Sequence, residues 1–228
     1  MPCPTGRPSQ SNPSKPAPPR YSLPSAAVRQ NEPAPSAPTT GAGRPRRRAV
    51  FLDRDGTLTE PRHYPSHPDE LVLQPDIGLP LRALQHAGFA LVVVTNQSGL
   101  ARGLLNTAAL DAMHHRLRAL LARHGVRLDG IYACPHHPDG TVPRYRRVCS
   151  CRKPAPGMLH QAAHELDLDL SASWMVGDSS CDINAGHRVG TRTALVGSQP
   201  LPDVTPGVHR ATTSDTLYQV LRCFLAGR

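Results

Sequence analysis

Four short polar segments of the sequence carry side chains that are common in catalytic and metal-binding sites. Each follows an apolar run, and together they are Asp53-Arg54-Asp55-Gly56-Thr57, Thr95-Asn96-Gln97-Ser98, Cys134-Pro135-His136-His137 and Gly177-Asp178-Ser179-Ser180-Cys181-Asp182. If the apolar runs are parallel strands, the segments meet at the carboxyl edge of one sheet, where ligands bind in folds of this kind. The pattern therefore predicts one site assembled from four loops.

The carboxylates of these segments are suited to phosphoryl transfer. Asp53 and Asp55 lie two positions apart. One can attack phosphorus to form an aspartyl-phosphate, while the other protonates the leaving alkoxide and then activates water. Asp178 and Asp182 add negative charge that a hard cation such as Mg²⁺ would neutralise. A single Asp would be assigned to a turn or a helix cap, but the four together favour a Mg²⁺-dependent site.

Neutral and cationic donors accompany these acids. Thr95 and Asn96 follow the most apolar run and offer hydroxyl, amide and backbone N–H groups to phosphoryl oxygens. Lys153 is the only lysine after residue 48, and an ammonium is a good phosphate ligand. Ordinary turn chemistry for Thr95 and Asn96, and a surface position for Lys153, are the structural alternatives.

A Cys/His pattern predicts a second metal site. The pair Cys134 and His136 precedes the pair Cys149 and Cys151, and three thiolates with one imidazole form a closed tetrahedral Zn²⁺ set. The loop between the pairs has few core-forming residues, so bound zinc would supply its folding energy. Free thiols in a reducing cytosol remain an alternative, and His137 could replace His136 as the ligand.

The apolar periodicity predicts the elements that position these residues. Predicted strands cover 49–52, 89–94, 131–133, 173–176 and 193–196, and predicted helices cover 75–88, 107–124, 157–168, 182–189 and 214–225. Leu79 is included in the apolar stripe of the first helix, and Thr107 is expected to cap the second. This alternation predicts a parallel sheet with helices on both faces. The intervals between the segments leave no room for a cap domain.

Composition separates the first 48 residues from the rest of the chain. Of the 228 residues, 26 are Lys or Arg and 17 are Asp or Glu, and residues 1–48 hold eight of the basic residues but only one acid. That Pro-rich segment cannot bury enough apolar surface to order, so we expect a disordered tail over 1–48 and a folded domain over 49–228. The tail is either a passive linker or a segment that binds nucleic acid or another anionic surface.

Several classes of protein are disfavoured by composition. No apolar stretch approaches the roughly 18 residues of a membrane helix, and no signal-peptide core follows Met1. The six cysteines do not resemble a disulfide scaffold. We therefore expect a monomeric cytoplasmic protein with no membrane partner and no nucleic-acid partner for the folded part.

The four segments resemble the motifs of the haloacid dehalogenase-like (HAD-like) hydrolases. Phe51-Leu52-Asp53-Arg54-Asp55-Gly56-Thr57-Leu58 is similar to the first motif, and Thr95, Lys153 and Gly177-Asp178 with Asp182 are similar to the other three. The resemblance covers about residues 49–198 and implies a Rossmann-like fold and a Mg²⁺-dependent phosphatase that acts through an aspartyl-phosphate. By the family pattern, Asp53 is the nucleophile, Asp55 the general acid/base, and Thr95 and Lys153 stabilise the phosphoryl group. Mg²⁺ is then held by Asp53, the backbone carbonyl of Asp55, and Asp178.

Further segments resemble one subfamily, the D-glycero-D-manno-heptose-1,7-bisphosphate 7-phosphatases with their histidinol-phosphatase branch. They are Cys134-Pro135-His136-His137-Pro138, Cys149-Ser150-Cys151-Arg152-Lys153-Pro154 and residues 95–103. The resemblance implies structural zinc on Cys134, His136, Cys149 and Cys151. It also implies substrate contacts, which we expect from Arg62, His63, Tyr64, Thr95, Asn96, Gln97, Ser98, Arg152, Lys153 and Ser179.

Two positions depart from the subfamily and leave the substrate open. Pro61 stands where the heptose enzymes commonly have Asp, and Ser179 where a Lys commonly meets the substrate. Arg62 and Arg102 could restore positive charge. A heptose bisphosphate is the expected substrate, and histidinol phosphate or another small phosphomonoester is the alternative. A protein that binds an anionic surface or nucleic acid through its basic tail is an alternative of a different class.

Overall fold

A computed structural model of the chain describes residues 45–197 and 210–226. The strands are β1 (Ala49–Leu52), β2 (Ala90–Asn96), β3 (Gly130–Cys134), β4 (Trp174–Gly177), β5 (Arg192–Val196) and β6 (Arg210–Ala211). The helices are α1 (Gly78–His86), α2 (Thr107–Ala122), α3 (Gly157–Glu165), α4 (Ser180–Arg188) and α5 (Thr213–Ala226). None of the helices in the described ranges is long and apolar enough to cross a bilayer.

The strands form one parallel sheet in the order β3-β2-β1-β4-β5-β6. β1 is central and fully buried because successive side chains point to opposite, helix-covered faces. Val50 and Leu52 pack in the core cluster that includes residues of α1, α2 and α5, whereas Ala49 and Phe51 pack in the cluster that includes residues of α3 and α4. The predicted Rossmann-like sheet with helices on both faces is confirmed, and the described residues 45–197 contain no inserted cap domain.

The register of the sheet aligns the polar segments. Leu52, the last residue of β1, pairs with Val93 of β2 and Val176 of β4. The residues that follow each strand therefore emerge side by side at one edge of the sheet. This alignment is what positions the site.

Two local predictions were wrong. Leu79 is 61% exposed, because two residues along a helix from Leu81 it points away from the core-facing stripe. Asn106, not Thr107, caps α2, and its side-chain oxygen accepts a hydrogen bond from the N–H of Ala109 at 2.8 Å. The two helices were predicted correctly, and the errors concern only which face Leu79 occupies and which residue caps α2.

The last basic residues of the predicted tail contact the folded unit. The N–H of Arg47 donates to the carbonyl of Asp167, and its guanidinium lies 3.0 Å from a carboxylate oxygen of Asp129. The guanidinium of Arg48 lies 5.6 Å from the ring centre of Phe89 and 4.4 Å from that of Phe224. The predicted disorder of residues 1–44 lies outside the described residues.

Candidate active site

The centre of the site is a buried lysine between two carboxylates. Nζ of Lys153 lies 2.7 Å from Oδ1 of Asp53 and 2.5 Å from Oδ1 of Asp182, and it also donates to the carbonyl of Val94 at 2.6 Å. Lys153 is only 3% exposed. Asp53 leaves β1 with its N–H bonded to the carbonyl of Val176, so its side chain is held at the sheet edge.

Asp178 completes a group of three acids. Carboxylate oxygens of Asp53, Asp178 and Asp182 all lie within 4.8 Å of one another. Gly56, at φ +83°, allows this approach, because a Cβ there would lie 2.1 Å from Oδ2 of Asp178. Ser179 fixes Asp182 through a capping box, in which the N–H of Ser179 donates to Oδ2 of Asp182 at 3.1 Å.

Burial makes the ionised acids costly in the absence of a cation. Burial, with further repulsion from Asp182, raises the pKa of Asp53 to about 7, although Lys153 acts in the opposite direction. Burial and the charge of Asp182 likewise raise the pKa of Asp178 to about 6. Burial tends to lower the pKa of Lys153, but the charges of Asp182 and Asp53 outweigh it, so that this pKa is raised. Because the donors are carboxylate oxygens, the group fits a hard cation such as Mg²⁺.

The expected magnesium ligands and the group of three acids overlap in two residues. Asp53 and Asp178 belong to the group of three, whereas the Asp55 carboxylate does not, and Asp55 was expected to contribute its backbone carbonyl. Asp182, which was expected to add negative charge near the cation but not to be a ligand, is the third member of the group. The available signal was its place three residues after Ser179, which is the spacing of a capping box.

The side chains of Arg54 and Gln97 hold Asp55, and no pattern in the sequence predicts these contacts. Nε and Nη2 of Arg54 donate to its two carboxylate oxygens at 2.9 and 2.8 Å. Nε2 of Gln97 donates to Oδ2 of Asp55 at 2.9 Å and to the hydroxyl of Thr95 at 2.9 Å. Gln97 was expected to contact substrate, and it also lines a cavity.

Two cavities share Asp55 and Asn96. The first, here called the Lys153 cavity, has a volume of about 230 Å³ and is lined by Asp53, Asp55, Thr95, Asn96, Arg152, Lys153, Ser179, Cys181 and Asp182. The second, here called the Tyr64 cavity, has a volume of about 240 Å³ and is lined by Asp55, Arg62, His63, Tyr64, Pro65, Asn96, Gln97, Ser98, Gly99 and Leu105. Every residue that was expected to contact substrate therefore lines one of the two.

The residues around the Tyr64 cavity form a compact wall. Tyr64 has a positive φ of 49°, which is uncommon for a bulky residue, and its ring stacks edge-on with His63 at 4.5 Å. The guanidinium of Arg102 lies 5.8 Å from the same ring centre. Asn96 lines both cavities. Its side-chain amide exchanges two hydrogen bonds of 3.0 Å with the backbone of Lys153, which holds it between them.

The Cys/His residues form a separate cluster beside the site. The sulfur atoms of Cys134, Cys149 and Cys151 lie 3.1 to 3.5 Å apart. Nδ1 of His136 lies 3.3 Å from the Cys151 sulfur. The hydrogen bond between Cys151 and Cys134 lowers the pKa of Cys151 to about 5, which favours a thiolate in the cluster. The soft donors and their closeness fit tetrahedral Zn²⁺. The ring of His137 contacts Arg102 and the N–H of Asp139, so His136 is the histidine that joins the cluster.

The cluster is connected to the Lys153 cavity through Arg152. Nη1 of Arg152 donates to the carbonyl of His136 at 3.4 Å, and Arg152 follows Cys151 directly in the chain. The position of the Arg152 and Lys153 side chains therefore depends on the loop that carries the four Cys/His residues.

Comparisons with known proteins agree with this geometry. The family model described as HAD-hydrolase-like matches residues 150–212. A D-glycero-beta-D-manno-heptose-1,7-bisphosphate 7-phosphatase of Yersinia pestis is 44% identical over 155 residues, which is 67% of this chain and 82% of the relative. The enzyme of the same name from Escherichia coli K12 is 44% identical over 165 residues, 72% of this chain and 85% of the relative.

Solved structures point the same way. A D,D-heptose 1,7-bisphosphate phosphatase from B. bronchiseptica, complexed with magnesium and phosphate, has a TM-score of 0.65 at 34% identity, covering 77% of this chain and 98% of that one. A HAD-like phosphatase from Mesorhizobium loti has a TM-score of 0.71 at 38% identity, covering 81% of this chain and 88% of that one.

Proposed function

The chain belongs to the HAD-like hydrolases, in the family of the heptose-1,7-bisphosphate 7-phosphatases, and from this we propose that it removes the 7-phosphate of D-glycero-D-manno-heptose 1,7-bisphosphate. The reaction is a Mg²⁺-dependent phosphomonoester hydrolysis through an aspartyl-phosphate. The observation that carries the proposal is the group formed by buried Asp53, Lys153 and Asp182 with half-buried Asp178. The three buried residues line the Lys153 cavity, which meets the Tyr64 cavity at Asp55.

In the first half of the reaction, the phosphate of the substrate occupies the Lys153 cavity. Its oxygens accept hydrogen bonds from Lys153, Thr95 and Asn96. A carboxylate oxygen of Asp53 forms the new bond to phosphorus while the bond to the sugar oxygen breaks. The leaving oxygen takes its proton from Asp55.

In the second half, Asp55 is the base. Its carboxylate takes a proton from a water molecule whose oxygen attacks the phosphorus of the aspartyl-phosphate, which releases inorganic phosphate and restores Asp53. Asp53, Asp178 and the backbone carbonyl of Asp55 would hold Mg²⁺, which would neutralise charge between the nucleophile and the phosphate. Asp182 keeps Lys153 in place.

The Tyr64 cavity receives the rest of the substrate. Arg62, His63 and Ser98 supply donors for the sugar hydroxyls and the second phosphate, and Arg152 adds positive charge from the Lys153 cavity. The hydroxyl of Ser179 is already bonded to Asp182, so Ser179 is a weaker substrate contact than a lysine would be. Cys134, His136, Cys149 and Cys151 would hold Zn²⁺ in a structural role, which would fix the loop before Arg152 and Lys153.

We further propose a monomeric cytoplasmic enzyme whose partner is a small phosphorylated sugar. Residues 1–48 are a tail and residues 49–228 the phosphatase domain, with residues 45–48 held against that domain. Nucleic acid is not a partner of the folded part.

The experiment that tests the function is phosphate release with Mg²⁺ on three substrates. These are the α and β anomers of D-glycero-D-manno-heptose 1,7-bisphosphate, and histidinol phosphate. A kcat/KM for one heptose anomer that exceeds the others by roughly a hundredfold supports the proposal and identifies the anomer. A preference for histidinol phosphate would contradict it and would assign Pro61 and Ser179 to a changed pocket.

A further inference from the structure

Among the described residues, Arg54 has the largest charged side chain that is fully buried. Its side chain is 0% exposed, whereas that of Asp55 is 24% exposed. Among the described residues, Asp55 is the only carboxylate within 4 Å of its guanidinium. A buried guanidinium with one anionic partner is a costly arrangement, so its position beside the general acid/base calls for a function.

The guanidinium is committed to Asp55. Nε and Nη2 form the two parallel bonds to Oδ1 and Oδ2, and within the described ranges Nη1 has no hydrogen-bond partner. The neighbouring His114 does not compete as a charged group, because burial and the charge of Arg54 lower its pKa to about 4. The orientation of Arg54 is therefore coupled to that of one carboxylate.

The hydrogen bonds leave one oxygen of Asp55 open for proton transfer. Oδ2 accepts from both Arg54 and Gln97, which uses its two acceptor positions. Oδ1 accepts from Nε of Arg54, and the hydroxyl of Thr59, 3.5 Å away, is engaged with the carbonyl of Arg54 at 3.1 Å. A hydroxyl has one proton to donate, so one acceptor position of Oδ1 remains free.

We propose that Arg54 and Gln97 are positioning residues that hold the Asp55 carboxyl group at the junction of the two cavities, with Oδ1 as the oxygen that exchanges the catalytic proton. This inference rests on the proposed function and deepens it. In the first half-reaction the proton on Oδ1 passes to the sugar oxygen as its bond to phosphorus breaks. In the second, Oδ1 accepts a proton from the attacking water.

Substrates with different leaving groups distinguish a positioning role of Arg54 from a purely structural one. A sugar alkoxide needs the proton of Asp55 to leave, whereas p-nitrophenolate is a far better leaving group and needs little help. The experiment compares the best alkyl phosphate of the substrate panel with p-nitrophenyl phosphate. For the latter, the pre-steady-state release of p-nitrophenol is measured, because it reports the first half-reaction alone.

Arg54→Met and Arg54→Lys test the clamp, since lysine keeps the charge but cannot form two parallel bonds. Both are expected to lower kcat on the alkyl phosphate by about 10² to 10⁴ and the p-nitrophenol burst rate by less than about tenfold, with KM little changed. Gln97→Met keeps the charge pair and removes one donor, so a smaller loss with the same selectivity is expected. Asp55→Asn defines the full general-acid effect.

Arg118→Met serves as the matched control, because Arg118 lies on α2, donates to the carbonyl of Leu128 and does not line either cavity. It is expected to leave both rates unchanged. If the Arg54 variants do not fold, Gln97→Met carries the test alone. Equal losses on both substrates would overturn the inference. Absence of turnover by the unaltered protein on every substrate would instead contradict the proposed function.

Discussion

At the residue scale, the charges around Lys153 do not balance. Three carboxylates, Asp53, Asp178 and Asp182, surround one ammonium, so full ionisation leaves two negative charges in excess. Burial makes that excess unfavourable, and for this reason the pKa values of Asp53 and Asp178 are raised. A divalent cation matches the excess in both charge and ligand chemistry.

Replacing the proposed nucleophile tests the reaction at this scale. Asp53→Asn is expected to lower kcat by at least about a thousandfold, because an amide oxygen cannot form the aspartyl-phosphate. The fold is expected to persist, since Asp182 still pairs with Lys153. Phosphate release and the melting temperature are measured together. Retained turnover in a folded variant would refute the nucleophile assignment.

The raised pKa values predict how pH affects stability. The folded state holds more protons than the unfolded state between the ordinary pKa of about 4 and the folded value of about 7 for Asp53. Stability of the metal-free protein therefore falls as pH rises through this window, and it falls more steeply than in Asp53→Asn. Mg²⁺ favours the ionised acids, so it is expected to raise the melting temperature more at about pH 8 than at about pH 5.5.

Thermal unfolding with and without Mg²⁺ at the two pH values checks this prediction, with Asp53→Asn as the control for other titrating groups. An Mg²⁺ effect that is equal at both pH values would show that these acids do not form the cation site.

At the element scale, the loop between β3 and α3 has almost no core of its own. Within residues 137–148, Val148 is 85% exposed, and the only regular element is a short 3₁₀ turn at Pro143–Tyr145. The Cys/His cluster joins the end of β3 to the residues just before Lys153. A bound metal would therefore constrain a long loop at the point where it supplies a catalytic side chain.

Cys149→Ser tests this dependence. The variant is expected to lose bound zinc and to melt at a lower temperature, because three ligands hold the metal much less tightly than four. Turnover is expected to fall as well, since Arg152 bonds the carbonyl of His136. Cys223→Ser, on the exposed face of α5, is the matched control. Unchanged zinc content by metal analysis would contradict the assignment.

At the scale of the whole molecule, the order of the strands decides what can meet. β1 lies between β2 and β4, so the segments that follow these three strands are adjacent at one edge. β3 flanks β2 and brings the Cys/His cluster to the same side. The chain before β1 reaches the sheet through Arg47 and Arg48, which contact other parts of the folded unit.

Two truncations separate the tail from the domain. Removing residues 1–44 is expected to leave kcat/KM and the melting temperature unchanged, because the site lies wholly within the later residues. Removing residues 1–48 also removes the cation–π contacts of Arg48, worth about 1 kcal/mol, so the melting temperature is expected to fall by roughly 2–4 °C. A loss of roughly tenfold in kcat/KM for the shorter truncation, about 1.4 kcal/mol, would contradict a passive tail.

Local sequence patterns were enough to predict most elements and the kind of chemistry. Apolar runs predicted five of the six strands, since buried parallel strands are apolar on both faces. The polar segments after the strands predicted Asp53, Asp55 and residues 95–98 at the cavities, and Cys/His spacing predicted the metal cluster. The resemblance to the heptose enzymes, not a strand pattern, indicated Arg62, His63, Tyr64 and Arg152.

Which side chains meet depends on the tertiary structure. Lys153 reaches Asp53 across 100 positions of sequence and Asn96 across 57, and no local pattern specifies such pairs. The same holds for Asp182 as the second partner of Lys153, for Gln97 on Asp55, and for the choice of His136 over His137. Contacts of this kind follow from strand order and register, because the sheet sets which chain segments share an edge.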